Sequence, residues 1–557
     1  MTAPVAERPA RQRGQGIGRA AVMIGVITML ARLAGFGRQV VFAHSVGTTC
    51  LGTAYTTANM VPNIVYDIIL GGALASVVVP VLAGPAWRAG EQARQIASAL
   101  LTWTVTLLIP VSLLVAVAAH SIVSVLVSGA SGCPRGELVS AGTRMLIVFA
   151  PQVLLYGLAV VLYGILQARR RFAAPALAPL LSSLVVVGAY AVFGVLGGAY
   201  VNRLDALPAR AEFLLSGGTT LGVLALVLTA VIPAWRLRAG VRPTLRFPAG
   251  VGSLVRRLAL AGALTLVAQD ASVAVVIVLA YRYGGSGALV IYGFAWAVFA
   301  LPYAVLAISV ATSVFPELSA SSGLASPGGA RTEAQSGGEF DATAAASTRA
   351  VMLAAWLGTA VLLGARVPLA RVFESHSAAA ASALAVALAA FAPALIGYGL
   401  SANLSRVLFA RGRNRATALA LGAGWLLVIV ADLLIVPFVP RPRVVPALGL
   451  GTSIGLTVAG IVLLVLVSRD RGGAALTGVP RAFWTGVAGC AAGAAVGSAV
   501  AATVPVSGFL PNAGVSVLVT VLVTAVFGAV VISLDEGDLR IALTRLRMTA
   551  TRESHWG

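Results

Sequence analysis

The chain has 557 residues, of which 59% are hydrophobic and 10% charged, and its mean hydropathy is +0.95. Soluble domains carry about 25% charged residues, so this composition excludes an ordinary soluble protein and indicates a membrane protein. The net charge of +21 would suit a nucleic-acid partner, but the arginines lie in short clusters between long apolar stretches and form no basic domain.

The apolar stretches predict an all-α polytopic membrane protein. A helix needs about 20 apolar residues to cross the hydrocarbon core, and about fourteen stretches satisfy that rule. Residues 1–17 are polar, and the stretch after them is too long for a signal-peptide core, so we expect the first span to be retained. The predicted spans are 18–43, 54–84, 97–128, 138–167, 173–199, 214–235, 254–281, 287–318, 345–373, 378–410, 414–439, 444–468, 481–505 and 511–534.

The arginines predict the orientation of these spans. With the N-terminus inside, cytoplasmic segments hold 27 of the 39 arginines, external loops hold 8 and spans hold 4. Basic residues concentrate on the cytoplasmic side of membrane proteins. Both termini are therefore predicted to be cytoplasmic, in the cytoplasmic membrane of a bacterium.

A weak repeat and a polar loop predict the domain organisation. Residues 73–84 (ALASVVVPVLAG) resemble 309–320 (SVATSVFPELSA), six spans apart, and an even offset predicts parallel repeats. The loop 319–344 is rich in Gly, Ser and Ala and is predicted to be a flexible cytoplasmic segment. The predicted segments are an N-terminal tail (1–17), a six-helix bundle (18–235), a cytoplasmic linker (236–253), a second six-helix bundle (254–468), two extra helices (481–534) and a cytoplasmic tail (535–557).

Polar residues in the first two spans predict a cavity. A buried arginine costs roughly 2.5–3.5 kcal/mol in mid-membrane, so Arg32 indicates either a function or a structural ion pair, and Arg38 either a function or a side chain that reaches the interface. Gln39 shares the face of Arg32. In the second span Asn59, Asn63 and Asp67 repeat every four residues, which places them on one face that looks into protein or water. A structural hydrogen-bond ladder, or an ion pair between Asp67 and Arg32, is the alternative.

Later spans carry fewer polar residues. In the seventh span Gln269 shares a face with Thr265 and Ser272, and Asp270 lies about 100° around the helix. The aromatic residues Tyr292, Trp296, Phe299 and Tyr303 repeat at heptad spacing, which favours packing or an interface belt, with a platform for sugars as the alternative. Asp432 lies deep in the eleventh span, where a lone carboxylate suggests a cation or proton site. Residues 482–534 contain no charged side chain, so the last two spans either face lipid or line a groove for lipid tails.

The remaining motifs are weak. Cys50, Cys133 and Cys490 match no metal or redox spacing, so we interpret them as apolar filler or a loop thiol. The chain contains no HExxH, GxSxG or P-loop motif. We therefore expect a transporter rather than an enzyme.

Two segments resemble a known family. ARLAGFGRQVVFAHSVGTTCLGTAYTTANMVPNIVYDIILGGALASVVVPVLAG (31–84) resembles the N-terminal signature of the MurJ/MviN lipid II flippases, closest to their actinobacterial form, and FALPYAVLAISVATSVFPELS (299–319) resembles their eighth helix. The resemblance implies the MATE-like fold of the multidrug/oligosaccharidyl-lipid/polysaccharide exporter superfamily. It further implies two bundles around a cationic cavity, alternating access, and a lipid groove formed by the last two helices.

The resemblance also assigns roles to residues. Arg32 and Arg38 match the family's two first-helix arginines, which are implicated in holding the pyrophosphate. Asp432 and Thr452 match its eleventh- and twelfth-helix cation ligands. The departures, which imply a less cationic cavity, are Gln39 for an acidic residue, Asp67 for the second-helix arginine, Ala297 near the eighth-helix arginine and Val275 for the seventh-helix carboxylate.

These observations predict a flippase for the undecaprenyl-linked peptidoglycan precursor lipid II. The predicted substrate-binding residues are Arg32, Arg38, Gln39, Asn59, Asn63, Asp67, Gln269 and Asp270, and the predicted monovalent-cation ligands are Asp432 and Thr452. No cofactor is expected beyond a coupling sodium ion or proton. The expected partners are the lipid substrate, membrane lipids and cell-wall synthesis or division proteins. Alternatives are another exporter of the superfamily for a polysaccharide lipid or cationic drug, a membrane-embedded polyprenyl enzyme, and a division scaffold.

Overall fold

The computed structural model is predominantly helical and has no strand in the residues it describes, which are 10–67, 90–169, 171–236, 242–247, 266–321, 333–374 and 377–534. Within these residues, twelve helices are long and apolar enough to cross a membrane, and a bent helix pair makes a thirteenth candidate. The predicted polytopic α-helical fold is thereby confirmed. The repeat segment 73–84, most of the predicted linker 236–253 and the predicted tail 535–557 lie outside the described residues.

The first of two compact units comprises residues 1–128 and 133–270. In it, α1 packs against α7, α7 against α8, and α2 against α5. Aromatic side chains from four of these helices, including Phe42, Tyr55, Phe149 and Tyr190, meet in its interior. Its helices are α1 (Ala10–Ser45), α2 (Cys50–Asp67), α3 (Gly90–Val117), α4 (Ala119–Leu126), α5 (Arg135–Phe149), α6 (Pro151–Ala168), α7 (Ala173–Gly197), α8 (Ala209–Arg236) and the beginning of α9 (Leu266–Gly284).

The second unit comprises residues 129–132 and 271–557. Here α16 packs against α14 and α15, and α12 packs against α17 and α18. Its helices are the rest of α9, α10 (Ala288–Pro302), α11 (Ile308–Ser321), α12 (Glu333–Val372), α13 (Ala378–Phe391), α14 (Ala394–Ala410), α15 (Asn414–Ile435), α16 (Val444–Arg471), α17 (Val479–Thr503) and α18 (Phe509–Leu534).

The predicted span 378–410 is a pair of helices. α13 and α14 meet at an angle of 46° across a break of two residues. Pro393 lies in the break, and a proline there has no N–H to continue the hydrogen-bond ladder of α13. The bend is therefore encoded locally.

The prediction of a flexible loop at 319–344 is wrong for those residues of the range that the structure describes. α11 continues to Ser321 and α12 begins at Glu333. Phe340 is buried in the core of the second unit, and Asp341 accepts two hydrogen bonds from Arg471. Composition alone missed this helix because its stability comes from tertiary contacts rather than from an apolar stripe.

The interpretation of the cysteines is also wrong for two of the three. Cys50, at the start of α2, forms a disulfide with Cys133, 83 residues later. Cys490 is a buried free thiol, as expected for apolar filler. The pairing joins the first residue of α2 to the loop before α5, far away in sequence, so no local spacing could reveal it.

Candidate functional site

The polar stripe of α2 divides into two parts. Tyr55 is buried, and its hydroxyl lies 2.6 Å from that of Tyr190 and 2.8 Å from that of Thr219. Asn59, Asn63 and Asp67, in the following turns, are only half-buried. The first part therefore holds α2 against α7 and α8, while the second part borders open space.

α1 brings its two arginines to different surroundings. Arg32 is exposed and Arg38 and Gln39 are half-buried. Neither arginine forms an ion pair or a hydrogen bond with any residue that the structure describes, so Arg32 and Asp67 do not form the alternative ion pair. Both cations are therefore available to a ligand.

Tyr156 of α6 completes this region of the first unit. Its hydroxyl donates to Asn63 Oδ1 at 3.2 Å, and its ring lies 4.3 Å from that of Tyr66. The charges of Arg38 and Asp67 both lie close enough to act on the Tyr156 hydroxyl. Tyr156 thus contacts Asn63 and Tyr66 of α2 and lies within range of the charges of Arg38 and Asp67.

The two tyrosines were missed by sequence reasoning. Tyr156 follows the buried Gln152 by one turn, and the Gln152 amide donates to Thr220 at 2.9 Å. Gln152 and Tyr156 are four residues apart and therefore share a face of α6. This spacing in the sequence could have predicted the polar face. Tyr66 lies beside the predicted stripe rather than on it, and only its contact with Tyr156 identifies it.

Asp270 of α9 adds a second carboxylate to this unit. It is 4% exposed, and neither carboxylate oxygen has a hydrogen-bond partner in the described part of the chain. Asp67 lies close enough for the two carboxylates to repel each other. Gln269 is half-buried on the same helix. These residues could bind a cationic group or share a proton.

The second unit contains an independent polar cluster around Asp432. The side chain is fully buried, and both carboxylate oxygens lack a partner among the described residues. The Tyr292 hydroxyl interacts with Thr452 and lies within reach of the Asp432 charge. A Cβ at Gly451 would collide with the carboxylate, so only glycine permits this approach of α15 to α16.

The Asp432 cluster fits a small cation or a proton. A buried carboxylate without partners is costly, and a bound cation or a proton would offset that cost. Asp432, Thr452 and Tyr292 offer the oxygen donors that hard cations prefer. Val275, where the resembled family has a carboxylate, supplies no donor. Sequence reasoning assigned Tyr292 to packing, and it does pack against Phe391, but it also faces this cluster.

The last two helices pack on α12, and their residues from 482 to 534 carry no charged side chain. Gly364 of α12 and Gly497 of α17 contact each other and the side chain of Val523, so these glycines let the helices approach closely, as small residues do in membranes. The outer faces of α18 expose Leu510, Val517 and other apolar side chains. The exposed surface of α18 is therefore mainly apolar.

Comparisons with known proteins agree with this architecture. A sequence model of the family described as "Lipid II flippase MurJ" matches residues 42–531. A probable lipid II flippase MurJ of Synechocystis is 26% identical over 40% of this chain and 41% of its own length. One from Rhizobium meliloti is 26% identical over 53% of each chain. The chain thus spans about half the length of the curated relatives it matches.

Solved structures share the fold. A lipid II flippase MurJ in an inward closed conformation superposes with a TM-score of 0.70 at 18% identity, over 92% of this chain and 99% of the other. An inward-facing multidrug MATE transporter of the MOP superfamily gives 0.64 at 15% identity, over 82% of this chain and 99% of that one. The predicted MATE-like fold is confirmed.

Proposed function

The chain belongs to the lipid II flippase MurJ family, and we propose that it carries lipid II from the inner to the outer leaflet of a bacterial cytoplasmic membrane. The match of the family model to residues 42–531 is the observation that carries this proposal. The activity is transport by alternating access rather than catalysis, and it supplies precursor for cell-wall synthesis.

The first unit provides the headgroup-binding chemistry. Arg38 offers a planar donor pair that suits two phosphate oxygens, and Arg32 provides a second cation on the same helix. Asn59, Asn63 and Tyr156 supply neutral hydrogen-bonding groups for sugar or peptide. Neither arginine pairs with a carboxylate that the structure describes, and a cation left without such a partner supports a role in ligand binding.

The last two helices provide the lipid side of the same substrate. Their charge-free surface matches a polyprenyl chain, and the small residues that join them to α12 leave the outer apolar faces open.

Coupling is assigned to Asp432. A sodium ion or a proton bound by Asp432, Thr452 and Tyr292 would remove the cost of the buried charge and favour one conformation of the second unit. No other cofactor enters the proposal.

The arginine bias and the disulfide support the proposed orientation, in which both termini are cytoplasmic. Cys50 and Cys133 both fall in loops that are external when the N-terminus is inside, and disulfides persist in oxidising compartments. Cysteine labelling tests it directly, because two native cysteines are paired and the third is buried. We expect Ser507→Cys to react with an impermeant maleimide on intact cells and Gly473→Cys to react only after lysis. Labelling of Gly473→Cys on intact cells would contradict the orientation.

Reconstitution tests the function. Proteoliposomes that contain the purified chain and lipid II should expose internally added lipid II to an external headgroup-modifying enzyme faster than empty liposomes do. Depletion in the host should leave lipid II in the inner leaflet. Equal rates with and without protein, in vesicles with verified insertion, would contradict the proposal.

A second candidate is a transporter of cationic molecules. Asp67 and Asp270 favour it, because two neighbouring carboxylates in the first unit attract a cation. The same liposomes, loaded with an organic cation, distinguish the two candidates. Cation efflux that Asp270→Asn abolishes, without lipid II movement, would favour this second candidate.

A further inference from the structure

One end of the second unit contains a cavity whose wall combines charged, polar and apolar side chains. It encloses about 950 Å³ between the end of α12, the start of α13 and the turn that joins α17 to α18. Among the described residues, the charged ones at its wall are Arg366, Arg371 and Glu374. The cavity lies at the opposite end of α12 from Asp341 and is external in the proposed orientation.

Its arginines are not neutralised by the protein. Both are half-buried, and neither has a carboxylate within salt-bridge distance in the described part of the chain. Arg371 makes only a long hydrogen bond of 3.5 Å to the Val506 carbonyl. External arginines are disfavoured in membrane proteins. Two of them, half-buried around one cavity and unpaired, indicate an anionic ligand.

A second cavity gives the ligand an apolar part. A narrower space of about 290 Å³ shares Arg366, Arg371 and Pro505 with the first and continues between α12 and α17. Its wall is formed by small side chains such as Ala501 and Ala502. The two arginines therefore lie at the junction of the larger cavity and the cleft between α12 and α17. A lipid could place its headgroup in the cavity and its chain in the cleft.

The polar wall also constrains the headgroup. Two arginines and Glu374 leave a net charge of +1, which matches one phosphodiester better than a diphosphate. Asn512 lines the cavity, is 2% exposed, and its Oδ1 has no hydrogen-bond partner among the described residues. Its amide nitrogen donates to the Gly508 carbonyl at 2.7 Å, which fixes the oxygen as the free acceptor. A ligand with a hydroxyl group would satisfy it.

We propose that the cavity between Arg366 and Arg371 binds the phosphodiester headgroup of an anionic glycerophospholipid that also carries hydroxyl groups, with an acyl chain in the cleft between α12 and α17. The site is separate from the headgroup site of the first unit and does not depend on it. A bound lipid would fix the turn between α17 and α18 against α12.

Native mass spectrometry of the full chain in detergent tests the proposal. Phosphatidylglycerol, phosphatidylcholine and undecaprenyl diphosphate are titrated separately. We expect phosphatidylglycerol to bind in preference to phosphatidylcholine, and Arg366→Gln/Arg371→Gln to weaken that binding about ten-fold or more, since charge-assisted hydrogen bonds to phosphate are lost.

The matched control is Arg441→Gln/Arg443→Gln. These two exposed arginines precede α16 at the same end of the unit and do not line the cavity. Their substitution removes the same net charge as the Arg366→Gln/Arg371→Gln variant. An equal loss of lipid binding in both double variants would overturn the proposal. A loss confined to undecaprenyl diphosphate would also overturn it, because the cavity would then serve the transported substrate. Elution of both variants as monodisperse protein verifies that they are folded.

Discussion

The two ends of the second unit use arginine in opposite ways. At one end, Arg471 makes a two-pronged contact with Asp341, and Arg411 and Arg413 both pair with Asp470. At the other end, Arg366 and Arg371 border a cavity and pair with no carboxylate that the structure describes. A partnered arginine joins helices, whereas an unpartnered one beside a cavity is available to a ligand.

The first unit repeats this contrast. Arg144 of α5 donates to both carboxylate oxygens of Glu212 on α8, at 2.9 and 2.7 Å. Arg38 of α1 lies close enough to Tyr156 for its charge to act on that hydroxyl, and it has no carboxylate partner in the described residues. The comparison therefore sorts the arginines of both units into structural and ligand-binding groups, and substitutions can test each group.

The largest effect is expected at Arg38. Arg38→Gln removes a cation that the protein does not neutralise, so the chain should fold while lipid II transport falls about a hundred-fold through the lost phosphate contact. Arg38→Lys should also transport poorly, because an ammonium lacks the planar donor pair. The measurement is lipid II exposure in proteoliposomes at equal protein content.

Arg32 supplies the matched comparison on the same helix. Arg32→Ala should reach the membrane folded and transport poorly, and adding Asp67→Asn should not rescue it. Full rescue by Asp67→Asn would show that the two residues form a structural pair during the cycle, and Arg32 would then move to the structural group.

A carboxylate gives the next effect in size. Asp432 is buried, and its carboxylate has no partner among the described residues. In this respect it is like Arg38 and unlike Asp470, which pairs with an arginine. Asp432→Asn should reduce the dependence of transport on sodium or on a proton gradient by about ten-fold, within the range of ordinary coupling between sites. Lipid II binding, measured separately, should change little.

The matched control here is Thr452→Val, which removes a hydroxyl without removing charge and should reduce the ion dependence less. Wild-type ion dependence in Asp432→Asn would contradict the coupling role and leave the carboxylate without an assigned function.

The smallest effect is expected in stability. Asp341→Asn breaks a contact in which both side chains are largely buried, so the free energy of unfolding should fall by roughly 1–2 kcal/mol. Arg366→Gln should change it by less than about 0.5 kcal/mol, because no partner is lost. Denaturant titration of the purified variants measures both. A larger loss for Arg366→Gln than for Asp341→Asn would reverse the comparison.

The pattern of apolar residues was sufficient for most of the membrane-spanning helices. Only a helix satisfies its own backbone hydrogen bonds in lipid, so runs of about 20 apolar residues predict spans without knowledge of their neighbours. The α2 stripe was predictable for the same reason, since Asn59, Asn63 and Asp67 share a face by helical spacing alone. The family resemblance, carried by residues 31–84 and 299–319, was also present in the sequence and is borne out by the comparisons.

The partners of these polar side chains were determined only by the tertiary structure. Tyr156 lies 93 residues from Asn63, Arg471 lies 130 residues from Asp341, and Arg371 lies 135 residues from Val506. The same holds for Cys50 and Cys133, and for the Arg366 cavity, whose walls come from α12, α13 and the turn before α18. Spacing along a helix specifies which side chains share a face, but the packing of helices distant in sequence determines whether a charge finds a partner or a cavity.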